Sequence, residues 1–132
     1  MATIKRFEVL EIWQMARELN IKLNPILEKL ENLRSYSLKS QLDDAAGSVM
    51  DNISEGFERS GNREFIQFLA ISKGSLGEVR SQLYRAFDRK IIEQATFDSL
   101  HADCLLLADK IGKFITYLNN SDFRGSKFKK NN

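Results

Sequence analysis

A single cysteine, a single proline and a single histidine in 132 residues close off several kinds of chemistry. Cys104 alone can build neither an internal disulfide nor a cysteine-based zinc site. Seven glycines and one proline leave few places for turns, so long uninterrupted elements are expected. No apolar run approaches the ~20 residues that a membrane-spanning helix needs. The opening stretch from Met1 to Arg6 has no apolar segment followed by a small-residue cleavage site, so no secretory signal is expected. A cytoplasmic protein without membrane association is the resulting expectation. What the chain does have is ordinary for a globular domain: 42% hydrophobic and 29% charged residues.

The charge is unevenly placed. The net charge is +2, yet Arg124, Lys127, Lys129 and Lys130 follow Phe123 with no acid among them. Setting those four aside leaves 16 basic against 18 acidic residues, so residues 1–123 sum to −2. The expected organisation is one domain over 1–123 and a basic C-terminal tail over 124–132. Bulk charge therefore gives the body little of the signature of a nucleic-acid-binding face.

Apolar residues recur at helical spacing from Phe7 through Leu10, Trp13, Ala16, Leu19 and Leu23 to Leu30. Pro25 interrupts this first helix and is expected to kink rather than end it, because the stripe continues beyond it. Asn32 to Ser37 reads as a loop. A second helix is expected from Leu38 to Arg59, with Leu42, Ala45, Val49, Ile53 and Phe57 inward. Ser60-Gly61-Asn62 forms a breaker and cap cluster. A third helix then runs from Asn62 to Arg89, where Gly74 and Gly77 are expected to mark a neighbouring helix passing close. The fourth runs from Gln94 to Asn119 through Phe97, Leu100, Cys104, Leu107 and Ile111. Long helices joined by short loops predict an all-α, antiparallel up-down-up-down four-helix bundle.

Several polar residues fall in phase with these stripes. Gln41, Ser48, Asn52 and Glu55 share one face of the second helix, and Ser75, Glu78 and Gln82 share one face of the third. They could form a small acid–base or ligand pocket. The favoured reading is a hydrogen-bonded network that sets helix register or a subunit interface, since buried polar groups must be paired. No histidine, lysine or nucleophile is in phase with the carboxylates to complete a catalytic set, so no enzymatic activity and no cofactor are expected. Asp98-x-x-His101 has di-iron spacing, but that chemistry needs a second histidine motif. Cys104 lies on the apolar stripe and reads as an inert core thiol. Trp13, Phe65 and Phe68 match core positions rather than base-stacking platforms.

Cations gather at Arg80, Arg85, Arg89 and Lys90, at Arg59 and Arg63 around the loop before the third helix, and at Lys110 and Lys113 on the fourth. They read either as a solvated surface with cations near helix C-termini or as a phosphate-binding rim extended by the tail.

Three blocks carry a family resemblance. Residues 7–14 (FEVLEIWQ) resemble F-E-x-L-x-V-W-Q, residues 52–59 (NISEGFER) resemble N-I-A-E-G-F-x-R, and residues 64–79 resemble E-F-x-x-F-L-x-x-A-x-G-S-L-x-E-x. Together they resemble the four-helix-bundle proteins encoded by intervening sequences in bacterial large-subunit ribosomal RNA genes, from about Phe7 to Leu118. The resemblance implies a left-handed bundle assembling as a ring-like homopentamer. It also implies kinship with accessory proteins of diversity-generating retroelements, whose partners are RNA or DNA and a reverse transcriptase. Two positions depart from that pattern. Asp43-Asp44 stands after Gln41-Leu42 where members carry a basic pair, which disfavours a polyanion there. Met50 replaces a common proline, so the second helix should run on with less of a kink. The resulting expectation is a non-enzymatic homo-oligomeric scaffold with a nucleic-acid or reverse-transcriptase partner. The alternative is a purely structural protein-interaction bundle.

Overall fold

The computed structural model describes residues 4–121. Four helices carry the fold: α1 (Glu11–Asn32), α2 (Tyr36–Glu58), α3 (Asn62–Asp88) and α4 (Gln94–Asn119). The buried residues of α1 are Ile12, Ala16, Leu19, Leu23, Ile26 and Leu30. Their steps alternate between four and three, an average of about 3.5 residues, which is the repeat of helices that pack along their full length. α4 repeats the pattern with Phe97, Leu100, Cys104, Leu107 and Ile111.

Side-chain pairs fix the direction of each helix. Glu31 meets Lys39 (2.9 Å) while Asn20 meets Ala46 (2.9 Å), so α2 descends as α1 ascends. Ser75 reaches Ser48 and Gln82 reaches Gln41, which makes α3 antiparallel to α2. Tyr84 packs on Phe97 while Phe65 packs on Phe114, which reverses α4 against α3. The ring closes through Lys22–Asp103 (3.0 Å) and Lys110–Glu11 (3.1 Å) between α1 and α4. Neighbours in sequence are thus neighbours in space, in the up-down-up-down order. One end of the bundle carries the α1–α2 and α3–α4 turns. The other carries the α2–α3 turn, the start of α1 and the end of α4.

Several local features differ from the sequence reading. α1 begins at Glu11, not Phe7: Phe7–Val9 forms a 3-10 turn and Leu10 is extended (φ −72°, ψ 129°). The Phe7 ring then meets Trp13 edge-on at 5.1 Å, and the Gln14 side chain donates to the Glu8 carbonyl (2.9 Å). α1 passes uninterrupted through Pro25. Proline deprives the carbonyl of Ile21 of its helical donor, but Ile21 and Pro25 are both exposed, so water can take that carbonyl.

The loop expected over Asn32 to Ser37 shrinks to three residues, and α2 begins at Tyr36. Arg34 adopts the left-handed region (φ 58°). The amide of Ser35 then donates to Leu30 and that of Arg34 to Glu31, which is a Schellman turn. α3 ends the same way. Lys90 is left-handed (φ 61°), Ile91 donates to Ala86 and Lys90 donates to Phe87. Neither position is glycine, so neither turn announced itself. At the other end Gly61 (φ 98°) makes the sharp entry into α3 that a residue with a Cβ would resist.

The close-packing glycine is Gly56, not Gly74 or Gly77. A Cβ at Gly74 would meet nothing within 4 Å, and one at Gly77 only the Arg80 side chain at 3.8 Å. At Gly56 it would lie 2.7 Å from the Phe68 Cβ and 2.8 Å from the Phe65 ring. The glycine inside residues 52–57 therefore has a physical reason: α2 and α3 are closest there.

Candidate functional site

The in-phase polar residues of α2 and α3 separate into three groups. In the first, Ser75 Oγ donates to Ser48 Oγ (2.8 Å), and Asn52 Nδ2 contacts both Ser48 O and Ser48 Oγ (2.8 Å each). Just below it, the fully buried Ser72 hydroxyl donates to the Val49 carbonyl (2.8 Å). These are short side chains, and with Gly56 they let the two helices approach. In the second group, Gln41 Oε1 accepts from Gln82 Nε2 (3.2 Å) and Arg85 (3.0 Å), while Arg85 also donates to Gln82 Oε1 (2.8 Å). The third is Glu55, which turns outward to Arg59 (2.9 Å). Glu78 is exposed and joins neither Asn52 nor Glu55. The possible Asn52–Glu55–Glu78 pocket is therefore not formed, and a register-setting network of Ser48, Asn52, Ser72 and Ser75 takes its place. Ser72, and Asn20 bridging Ala16 O and Ala46 O, were not singled out from the sequence. Their signal is a small polar residue on or beside an apolar stripe. Among the described residues, no buried side-chain nitrogen or oxygen lacks a hydrogen-bond partner.

The cations do not converge. α3 spans 27 residues, roughly 40 Å at about 1.5 Å per residue. It sets Arg63 at one end of the bundle and Arg85, Arg89 and Lys90 at the other. Arg59 is held by Glu55, lies 3.9 Å from Glu64 and stacks over the Phe68 ring at 5.2 Å. Phe68 is thus half-buried beneath a guanidinium rather than a core residue. Lys110 pairs with Glu11, and Lys113 pairs with Asp109 (3.0 Å). These two lysines line a groove of about 320 Å³ with Leu10, Ile12 and Phe114. Arg80 is half-buried near Cys104. Arg63, Arg89 and Lys90 are exposed. Arg124, Lys127, Lys129 and Lys130 lie outside the described residues.

The remaining candidates settle into packing roles. Burial pushes the Cys104 thiol up to about 12, so it stays protonated and unreactive at neutral pH. His101 stacks on Phe97 (5.2 Å) and meets Tyr84 edge-on (5.6 Å), while Asp98 accepts from Gln94 (2.8 Å) instead of pairing with the histidine. Among the described residues no three His, Cys, Asp or Glu side chains gather to hold a metal ion. None of the described helices is long and apolar enough to cross a membrane. Large apolar residues do remain outside: Tyr84 is 49% exposed, and Leu105 and Leu106, adjacent on α4, are 44% and 51% exposed.

These features define the class: an all-helical bundle whose interior polar groups serve helix packing and whose outer faces carry its unassigned apolar and charged residues. The 23S rRNA-intervening sequence protein family matches residues 8–113, and the chain belongs to that family. A solved structure with the same fold is a protein of unknown function from the S23 ribosomal protein family of Bacteroides thetaiotaomicron. It superposes with a TM-score of 0.74 at 17% identity, over 79% of this chain and 97% of that one. No curated protein matches the sequence.

Proposed function

We propose that this protein is a non-enzymatic, cytoplasmic, homo-oligomeric scaffold that works by presenting surfaces rather than by turning over a substrate. The observation that carries this reading is the outward apolar pair Leu105–Leu106 with the nearby Tyr84–His101 cluster. A monomer gains nothing by exposing them, whereas a second copy would bury them. The subunit count implied by the resemblance is five. Sedimentation of the native chain against Leu105→Glu/Leu106→Glu tests the assembly. A stable assembly that falls to monomer in the variant supports it, and a native monomer at all concentrations overturns it.

RNA, DNA or a nucleic-acid enzyme such as a reverse transcriptase is the proposed partner. The exposed Arg63 and the basic tail after α4 belong to the same end of the bundle, which favours that end as the contact. A purely structural bundle is the second reading, favoured by the exposed Asp43–Asp44 pair on α2 and by the acidic partners of Arg59, Lys110 and Lys113. Titration with labelled RNA and DNA across a salt series separates the two. Affinity that falls steeply with salt, and drops in Arg63→Glu, supports the nucleic-acid partner. No binding to either polymer supports the structural reading.

A further inference from the structure

At the end of the bundle where α4 finishes, a shallow groove of about 280 Å³ runs between the Phe7 turn and the outer face of α2. Its lining is Phe7, Asp51, Ser54, Glu55 and Glu58, with no cation among them. Asp51, Ser54, Glu55 and Glu58 follow the i, i+3, i+4, i+7 spacing of a single helical stripe. Glu55 is paired with Arg59, while the carboxylates of Asp51 and Glu58 have no ion-pair or hydrogen-bond partner among the described residues. The groove therefore joins an aromatic floor to two unpaired negative charges.

The description ends at Ser121, and Asn62 Nδ2 bonds the Leu118 carbonyl (3.1 Å), which ties the finish of α4 to the same end of the bundle as the groove. The sequence that follows contains Arg124, Lys127, Phe128, Lys129 and Lys130. We propose that this basic segment of the same chain folds back into the groove, setting Phe128 against Phe7 and Lys127, Lys129 and Lys130 against Asp51 and Glu58. Length permits it. α2 and α4 are diagonal in the bundle, so their axes lie roughly 14 Å apart if neighbours are about 10 Å apart. Asp51 lies roughly 10 Å down the axis from Glu58. An extended chain covers about 3.3 Å per residue, so Phe128 to Lys130 can be roughly 23–30 Å from Ser121. The sign of the charge selects the occupant: apart from Asp122, the segment carries only cations. When docked, these cations would be withheld from a phosphate partner, so polyanion and groove would compete for the same arm.

The docking is read without any nucleic acid, so its failure and that of the nucleic-acid reading are distinguishable. A spin label on Lys129→Cys in the full chain reports it, because the buried Cys104 does not take the label. We expect selective broadening of the Asp51, Ser54 and Glu58 amides, lost in Asp51→Lys/Glu58→Lys. It should also be lost at about 1 M salt, where screening acts within about 3 Å. Glu28 and Glu31, which line an acidic groove of about 320 Å³ at the opposite end, should be spared. Broadening that is absent, that falls equally on Glu28 and Glu31, that survives the charge reversal, or that passes to an unlabelled second molecule in a mixed sample overturns the proposal.

Discussion

Replacing Gly56 with alanine should destabilise the protein, although alanine is the better helix former. The propensity gain is about 1 kcal/mol. Against it stands a Cβ placed 2.7 Å from the Phe68 Cβ, where carbon atoms prefer about 3.5–4.0 Å. The Phe68 Cβ is fixed to the α3 backbone and cannot rotate away. The other close neighbour, the fully buried Phe65 ring, is wedged between Phe57 (6.1 Å) and Phe114 (5.7 Å). Relief therefore requires α2 and α3 to move apart, which stretches the Ser72–Val49 and Ser75–Ser48 hydrogen bonds (2.8 Å each). Overpacking of this kind costs about 1–3 kcal/mol or more, so the net loss should be about 1–2 kcal/mol. Gly74→Ala is the control: with nothing within 4 Å it keeps the propensity gain alone, about 1 kcal/mol of added stability. Urea unfolding should move the two midpoints in opposite directions at constant slope. A Gly56→Ala protein as stable as the parent would refute the reasoning.

The two left-handed turn residues offer a stabilising change. Arg34→Gly and Lys90→Gly should each add about 0.5–1 kcal/mol, because the left-handed region costs a residue with a Cβ about 1–2 kcal/mol and glycine nothing. Part of that gain is offset by glycine's freedom in the unfolded chain and by the lost cation at a helix C-terminus; thermal unfolding reads the balance. Cys104 should make stability fall at alkaline pH. Its folded pKa, about 12, lies above its model value of 9.0, so only the unfolded state loses the proton between those limits. The contribution is whole below pH 9 and is lost as pH rises toward 12. The stability gap between the parent and Cys104→Ala should then narrow by up to ~1.4 kcal/mol per pH unit above the lower limit. A constant gap across that window would show that the thiol is not shielded.

Periodicity made the helices legible, because six or more buried apolar residues per helix outweigh any local ambiguity. It failed where conformation departs from residue type. Phe7, Leu10 and Trp13 keep helical spacing, yet Leu10 is extended, since tucking Phe7 onto Trp13 is worth more than one further helical turn. Arg34 and Lys90 terminate helices in a conformation that glycine usually signals. For the candidate site, spacing placed Gln41, Ser48, Asn52 and Glu55 on one face, but side-chain length divided them. Ser48 and Asn52 are short enough to stay in the α2–α3 seam, whereas Glu55 extends to Arg59 in solvent. The cations were counted correctly but could not be placed: that Arg63 and Arg89 belong to opposite ends follows only once α3 is known to run unbroken between them.

The same packing explains where function has to be sought. In a bundle this narrow, a ligand site within the core would need polar groups left over after the helices are joined. Here Ser48, Asn52, Ser72 and Ser75 satisfy one another or a backbone carbonyl across a seam too tight for a single methyl group at Gly56. The carboxylates that could have served as acid or base, Glu55 and Glu78, are both exposed, one of them neutralised by Arg59. What the fold leaves uncommitted is on its outside: an apolar strip at Tyr84, Leu105 and Leu106, and an acidic groove beside the end from which a basic segment departs. Those features suit association, the first with another apolar face and the second with a cation-bearing chain. A mutation in the seam should therefore act through stability, and one on the strip or in the groove through binding at unchanged stability. Comparing unfolding midpoints with assembly state across both sets of variants separates the two roles.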